Sequence, residues 1–320
     1  MEFLWWLAGI AAVLAFIVLI ICGICFHMAF YNSRKPKKNP EAYPLPEGEI
    51  YEPYREQMVA WIKEVRAMPC EEHTVTSFDG LTLRGRFYRF SDDAPIELMF
   101  PGYRGEAERD LGGGVQRCFA LGHSALIVDQ RACGRSEGHV ISFGVNESKD
   151  CHVWINHVIR HFGPHVKIIL TGISMGAATV LMAAGAELPE NVVGVLADCG
   201  YSCAKEIIKK VIVDMKLPRE AAYPFVRLAG KLFGGFDIEA ASPVDAVKRC
   251  PVPVLLAHGE DDAFVPCEMS RQIFAACSSR KRLITVPGAG HGLCYPQDPE
   301  KYLAQLKAFW TEMGIYTLQV

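Results

Sequence analysis

The stretch Gly172-Ile173-Ser174-Met175-Gly176 decides the fold of this 320-residue chain. A β-like run at 166–171 precedes it, and a run of small residues at 177–184 predicts a helix after it. Strand, sharp turn and helix together are typical of a nucleophile elbow, in which the turn presents a serine hydroxyl to a substrate. Glycines at both flanks remove Cβ atoms that would clash with neighbouring backbone. Although so short a pattern also occurs by chance, this context favours Ser174 as a nucleophile.

The rest of the chain alternates between strand-like and helix-like runs. Strands are predicted at 96–100, 125–129, 166–171, 192–197, 252–257 and 282–286, and helices at 113–121, 148–162, 175–186, 268–277 and 299–313. This alternation predicts an α/β fold with a mainly parallel sheet and helices on both faces. Earlier runs at 73–78 and 81–90, joined by Asp79-Gly80, predict an antiparallel hairpin at the start of the sheet.

The segment 201–248 is too long for a plain connection between two strands. It is helix-like, with breaks predicted at Pro218, Pro224 and Pro243, and we expect it to form a small helical cap. Apolar residues within 207–212 and within 225–233 form two faces. Either face could line an acyl pocket or simply pack in the core, and periodicity does not decide between them.

The N-terminal run Phe3–Phe26 contains no charged residue. As a helix its 24 residues would extend about 36 Å, which is enough to cross a bilayer. A cleaved signal peptide is disfavoured, because Glu2 is the sole charged side chain ahead of the run and no Ala-x-Ala site follows it. The basic residues at 34–38 follow the run, so the positive-inside rule predicts a single-pass protein whose C-terminal part is cytoplasmic.

Three parts of the chain are therefore expected. They are a transmembrane anchor at 1–31, a basic linker with an amphipathic helix at 32–69, and the α/β domain at 70–320. The amphipathic helix is predicted at 54–68, with one apolar face and with Pro69 at its end. We expect the anchor to raise the local concentration of lipid substrates without shaping the site.

Composition excludes several functions. The net charge of −3 gives no reason to expect a nucleic-acid partner. The twelve cysteines show no Cys/His spacing typical of a zinc site, and a core of this size needs no disulfide framework. Reduced thiols fit a cytoplasmic location.

A serine nucleophile needs a base, and the base needs an acid to orient it. His291 lies in a glycine-rich loop just after the strand at 282–286, where an imidazole can reach across the sheet edge. Asp262 follows the strand at 252–257 and is the preferred acid. Asp261 is adjacent and Asp198 ends an earlier strand, so these residues alone leave three candidates.

With these residues the chain resembles the α/β-hydrolase superfamily. The matching stretches are Gly172–Gly176, His258–Pro266, Gly290–Gly292, the Asp-x-Arg-x-x-Gly-x-Ser loop at 129–136 and the oxyanion loop at 100–105. The resemblance covers about residue 70 to the C-terminus, and the most similar subgroup is that of membrane-anchored esterase-like and serine-aminopeptidase-like hydrolases. Arginines of the 129–136 loop are expected to form loop-stabilising salt bridges.

The resemblance implies a complete catalytic set. In the family's His-Gly-x-x-Asp-x-x-Val-Pro pattern the acid falls on Asp262, with Ser174 as nucleophile and His291 as base. Backbone N–H groups of Met175 and Tyr103 would hold the oxyanion, and neither a metal nor an organic cofactor is needed. Pro101 stands where the family usually has histidine, which leaves the backbone donor in the following residues unaffected.

Three functions remain as hypotheses. The first is a membrane-anchored serine hydrolase that cleaves small or lipid-like carboxylic esters. The second is a serine peptidase or amidase of the same fold, which the lack of a recognisable peptide-amine pocket makes less favoured. The third is a non-catalytic membrane-bound scaffold, against which the intact Ser174, Asp262 and His291 argue. Dehalogenase chemistry is disfavoured, because it needs a carboxylate at the elbow.

Overall fold

The computed structural model describes residues 1–33, 43 and 45–315. The basic residues at 34–38, on which the predicted membrane orientation depends, lie outside the described residues, as does most of the predicted linker up to residue 44.

A single sheet of eight strands organises the described residues. The strands are β1 (Glu71–Thr76), β2 (Thr82–Tyr88), β3 (Ile96–Phe100), β4 (Ser124–Val128), β5 (Ile168–Ile173), β6 (Val192–Asp198), β7 (Val254–Gly259) and β8 (Lys281–Val286). Their spatial order is β1-β2-β4-β3-β5-β6-β7-β8. The pairs β1–β2 and β2–β4 are antiparallel, and all later pairs are parallel. The predicted hairpin and mainly parallel sheet are confirmed.

Helices cover both faces of this sheet. They are α1 (Glu2–Ala29), α2 (Arg55–Ala67), α3 (Ala107–Leu121), α4 (Glu147–Phe162), α5 (Met175–Ala184), α6 (Ala204–Asp214), α7 (Arg219–Ala229), α8 (Pro243–Ala246), α9 (Cys267–Ala276), α10 (Cys294–Gln297) and α11 (Pro299–Glu312). A 3-10 helix spans Glu49–Tyr54 and a π-helical turn spans Gly230–Gly234.

The core lies on both sides of the sheet. Leu98 and Trp154 belong to the cluster on one face, and Met99 and Trp310 belong to clusters on the other. Every residue of α5 is buried. Because α5 follows β5 through a single residue, Ser174, the position of this serine is fixed by a fully packed strand and helix on either side.

The start of α3 differs from the prediction. The helix begins at Ala107 rather than at residue 113, because glycines at 112–114 weaken the helical pattern in the sequence. The structure explains why a glycine occurs in this helix: a Cβ on Gly113 would lie 2.6 Å from the Trp61 ring of α2. The predicted amphipathic α2 is confirmed, with Ile62 and Val65 buried on this side.

The segment 201–248 forms the predicted small cap from α6, α7, the π-helical turn and α8. The prediction that Pro224 breaks a helix is wrong, since α7 continues through it. Proline removes one backbone hydrogen bond and crowds the preceding turn. Tyr223, Val226 and Ala229 of α7 are buried, and this packing compensates for the local cost.

The N-terminal helix α1 is long and apolar enough to cross a membrane, as judged by length and composition. It is also docked on the domain at its C-terminal end. Cys22 and Phe30 are fully buried, and the Ile141 N–H donates to the Phe30 carbonyl at 2.8 Å. Phe26 and Phe233 have ring centroids 5.7 Å apart, so this end of α1 packs against the cap.

Candidate active site

The elbow places Ser174 in a strained backbone conformation. Its φ is 56° and its ψ is −118°, a region that residues with a Cβ rarely adopt. The flanking glycines make the turn possible. A Cβ on Gly176 would lie 2.0 Å from the Phe100 carbonyl oxygen, and a Cβ on Gly172 would lie 2.2 Å from the Gly176 backbone. The close packing of β3, β5 and α5 therefore maintains the strained conformation of Ser174. The Ser174 residue is 7% exposed.

Ser174, His291 and Asp262 form a continuous hydrogen-bonded chain. The Ser174 Oγ lies 3.0 Å from His291 Nε2, and His291 Nδ1 lies 2.7 Å from Asp262 Oδ2. With Nδ1 protonated, the imidazole donates to the carboxylate and accepts from the serine hydroxyl. This is the arrangement in which a histidine can remove the serine proton.

The carboxylate of Asp262 is held on several sides. Its Oδ1 accepts hydrogen bonds from the N–H groups of Phe264 and Val265, at 2.9 and 2.8 Å. The His258 Nε2 is 2.8 Å from the Val265 carbonyl, which accepts only, so this nitrogen carries a proton and also faces Asp262 Oδ2 at 3.2 Å. The role of His258 was not predicted, although it stands in the same His-Gly-x-x-Asp stretch.

Burial by itself would raise the pKa of Asp262. Hydrogen bonds from His258 and His291 outweigh this effect and hold the pKa of the carboxyl well below its ordinary value. The carboxylate is thus ionised at neutral pH and can orient and stabilise a protonated His291.

The two other acid candidates lie elsewhere. Asp198 is half-buried, and its Oδ2 accepts a hydrogen bond from the Tyr302 hydroxyl at 3.1 Å. Asp261 is exposed, and its N–H donates to the Ala289 carbonyl. Of the three candidates, the structure brings only Asp262 to His291 Nδ1.

The predicted oxyanion donors border Ser174. Met175 is the first residue of α5, where backbone N–H groups have no acceptor within the helix. The loop that contains Tyr103 is close as well, since a Cβ on Gly102 would lie 3.4 Å from the Ser174 Cβ. Asp110 fixes this loop by accepting from the Gly102 N–H at 2.9 Å. The Tyr103 hydroxyl donates to the Ala29 carbonyl at the end of α1.

A mainly apolar cavity of about 310 Å³ opens next to Ser174. One of the two predicted cap faces lines it, through Ile207, Ile208, Val211 and Ile212; of the other helix, Ala222 and Val226 contribute. Cys25, Met28 and Ala29 of α1 complete the wall. The expectation that the anchor does not shape the site is therefore wrong: helix packing brings its last turns to the cavity, which no local sequence pattern could indicate.

A second cleft of about 480 Å³ meets Ser174 and His291 from the other side. Residues 46–51 form part of it, together with Arg109 and Asp110. The Tyr51 hydroxyl donates to the His291 carbonyl at 3.0 Å. This segment was predicted as linker, and its contact with the site was missed because its sequence carries no chemical motif.

The loop at 129–136 has the stabilising role that was predicted. Arg131 forms ion pairs with Asp150 at 2.6 Å and with Asp79 at 2.9 Å, which join the loop to α4 and to the first hairpin. These ion pairs therefore hold the loop in place.

The strained turn at Ser174 lies at the carboxyl end of a mainly parallel sheet, and an acid and a histidine follow it in the chain. This combination defines a class of hydrolytic enzymes. The family model described as "Alpha/beta hydrolase family" matches residues 98–306. The chain belongs to this family.

Two relatives are similar to parts of the chain. The uncharacterized protein YqkD of Bacillus subtilis is 27% identical over 195 residues, which are 61% of this chain and 64% of YqkD, so the chain spans just under two thirds of that relative. The bifunctional esterase/perhydrolase DCH of Acinetobacter calcoaceticus is 45% identical over 49 residues, 15% of this chain and 18% of DCH.

Solved structures share the fold. The Pyrococcus furiosus esterase Pf2001 has a TM-score of 0.63 at 19% identity, covering 78% of this chain and 93% of that one. Est1E of Butyrivibrio proteoclasticus has a TM-score of 0.56 at 19% identity, covering 76% of this chain and 98% of that one. These likenesses show that the chain shares its fold with both proteins.

Proposed function

We propose that this protein is a membrane-anchored serine hydrolase that cleaves carboxylic esters with lipid-like acyl groups through an acyl-enzyme on Ser174. The observation that carries the proposal is the hydrogen-bonded chain from Ser174 through His291 to Asp262, in which Ser174 also lines an apolar cavity. Each residue then has one task in a two-step acyl transfer to water.

In the first step the Ser174 Oγ attacks the ester carbonyl while His291 Nε2 accepts the hydroxyl proton. The carbonyl oxygen becomes an oxyanion, to which the N–H groups of Met175 and Tyr103 donate, each contributing roughly 3–4 kcal/mol in comparable sites. When this tetrahedral intermediate collapses, the ester bond breaks and His291 gives its proton to the departing alkoxide. Asp262 stabilises the imidazolium throughout.

In the second step water attacks the acyl-enzyme. His291 accepts a proton from this water, and the carboxylic acid leaves as Ser174 recovers its proton. The apolar cavity under the cap suits the acyl chain, since it is lined mainly by aliphatic side chains. The more polar cleft beside Arg109 and Tyr51 suits the alcohol.

The docking of α1 supports a position at the membrane surface. Residues 2–17 of α1 are exposed, and these 16 residues extend about 24 Å, less than the ~30 Å of a hydrocarbon core. A full crossing would bring the docked turns, and the cap edge that covers them, into the bilayer. Consistent with this, the cap exposes five large apolar side chains by 45–52%: Val213, Met215, Leu217, Leu232 and Phe233.

The basic residues at 34–38 favour a cytoplasmic catalytic domain. Protease added to intact cells is expected to leave the domain uncut, whereas permeabilised cells lose it. Cleavage in intact cells would place the domain outside.

A fluorophosphonate probe tests the nucleophile, because it phosphonylates an activated serine and releases fluoride. We expect labelling of the full chain in detergent and none of Ser174→Ala. A folded wild type that stays unlabelled would overturn the proposal. Parallel assays with p-nitrophenyl esters and aminoacyl anilides separate an esterase from the amidase alternative, and cleavage of anilides alone would contradict ester hydrolysis.

Filling the acyl cavity from the anchor tests the assignment of its wall. Ala29→Phe is expected to exclude about three methylenes of a long acyl chain, at ~0.8 kcal/mol each. The resulting ~2.4 kcal/mol corresponds to an approximately 50-fold lower kcat/KM for decanoyl esters, with acetyl esters little affected. Ala11→Phe, on the exposed part of α1, is the matched control. Equal losses for both chain lengths would contradict the assignment.

A further inference from the structure

Three histidines, His73, His157 and His161, lie close together where β1 meets α4 and form what we name the histidine cluster. His157 and His161 are four residues apart on α4, so they share one face of the helix. His73 lies on β1, the edge strand of the sheet, and Glu71 two residues earlier points to the same face. Since α4 packs against β1, these side chains meet at one place.

The distances within this group are those of potential ligands. One ligand nitrogen from each histidine lies within 4.8 Å of the other two. His73 Nδ1 is 2.9 Å from His157 Nε2. The Glu71 Oε1 lies 2.9 Å from His161 Nε2 and 3.4 Å from His73 Nε2. Nitrogens bound to one tetrahedral zinc ion at 2.0–2.1 Å would be about 3.3 Å apart. His73 faces His157 through Nδ1 and Glu71 through Nε2, so the Glu71 carboxylate must rotate towards the three nitrogens to become the fourth ligand of one ion.

The burial of His73 also fits a bound metal. His73 is 4% exposed, and among the described residues its buried Nε2 forms no well-directed hydrogen bond, although Glu71 Oε1 lies 3.4 Å away. Such an atom is uncommon in a folded protein and favours a missing ligand.

We propose that the histidine cluster and Glu71 bind one zinc ion. Three imidazoles and one carboxylate match the ligand preference and coordination number of Zn²⁺, whereas Mg²⁺ and Ca²⁺ prefer oxygen ligands. Glu71 and His161 are partly exposed, which leaves a path from solvent. The ion would tie the edge strand β1 to α4 and stabilise the free side of the sheet. This site is separate from the proposed hydrolysis at Ser174.

No local sequence pattern predicts this site, because its ligands come from one strand and one helix, with His73 and His157 84 residues apart. The available signals were the i, i+4 histidines of α4 and the alternating Glu71 and His73, and neither is specific alone.

The full chain in detergent, stripped of metal with a chelator, provides the test. Zinc is titrated by calorimetry, and the melting temperature is measured with zinc at 100 times its Kd. We expect one zinc per chain and a Tm increase of roughly 5–10 °C. Cobalt(II) should give the intense visible absorption of a tetrahedral site.

The variants His161→Ala and Glu71→Gln change exposed ligands and should fold. Because removal of an outer hydrogen-bond partner already costs ~10–100-fold in metal affinity, loss of a direct ligand should cost at least about that much. His165→Ala replaces an exposed histidine just beyond α4 and should bind zinc like the wild type. Hydrolysis of a short ester should be the same in all three variants.

Two results would overturn the site. One is a wild type that neither binds zinc nor gains Tm. The other is zinc binding that persists in His161→Ala but is lost in Cys199→Ala, accompanied by inhibition of ester hydrolysis. That outcome would place the metal at Cys199, Asp262 and His291, whose ligand atoms also lie within 4.8 Å of one another.

Discussion

Asp262→Asn is expected to lower kcat for a short p-nitrophenyl ester by about 10⁴-fold. The Asp262 Oδ2 accepts from His291 Nδ1 at 2.7 Å and thereby keeps the proton on that nitrogen. An asparagine amide in the same place can donate instead, which favours the tautomer with Nε2 protonated. Such an imidazole cannot accept the Ser174 proton, and it gains no charge stabilisation when protonated.

The kinetic pattern distinguishes this role from a structural one. Loss of an interaction made in the transition state lowers kcat and kcat/KM together and leaves KM nearly constant. Asp261→Asn and Asp198→Asn are matched controls, since Asp198 ends β6 and Asp261 follows β7, but neither carboxylate bonds to His291 Nδ1. If Asp198→Asn loses as much activity as Asp262→Asn, the assignment of the acid is wrong.

Arg117→Ala is expected to destabilise the domain by about 3–5 kcal/mol. Glu97 is fully buried, and its Oε2 lies 2.5 Å from the Arg117 Nη2. His123 and Thr171 also contact the carboxylate, at 2.9 and 2.8 Å, but neither carries the compensating permanent charge. Removing the guanidinium leaves a buried anion, so Tm measured calorimetrically should fall by roughly 6–20 °C.

The exposed ion pair of Lys248 and Asp245 supplies the control, because the side chains are 57% and 62% exposed. Lys248→Ala should change the free energy of unfolding by about 0–1 kcal/mol. A comparable effect of the two substitutions would contradict the buried-pair explanation.

The stability contributed by Glu97 also has a defined pH dependence. Burial raises its pKa, but Arg117 and the hydrogen bond from His123 outweigh burial and lower the pKa from 4.5 to about 2. A lowered folded-state pKa means that the contribution is present above the unfolded value and is lost as pH falls from 4.5 towards 2. The wild type should lose stability in this range, and Arg117→Ala should lose less.

Local sequence patterns predicted much of the fold. Strands such as β3 and β5 are short apolar runs whose burial requires a sheet covered on both faces, so their alternation with helices predicted the architecture. Local patterns failed where packing overrides propensity. Gly113 led to a predicted start of α3 that is too late, although the Trp61 ring leaves room only for a glycine there. Pro224 predicted a break in α7, but the buried face of that helix keeps it continuous.

The sequence by itself was enough to predict Ser174 as the nucleophile, because the glycines that a sharp turn needs lie within two residues of the serine in the chain. It also determined the order of serine, acid and histidine, since strand ends follow one another along the sheet. The tertiary structure alone placed Ala29 and Tyr51 at the site and brought His73 to α4. These contacts join residues whose separation in the chain is bridged only by folding, so no local pattern of residues encodes them.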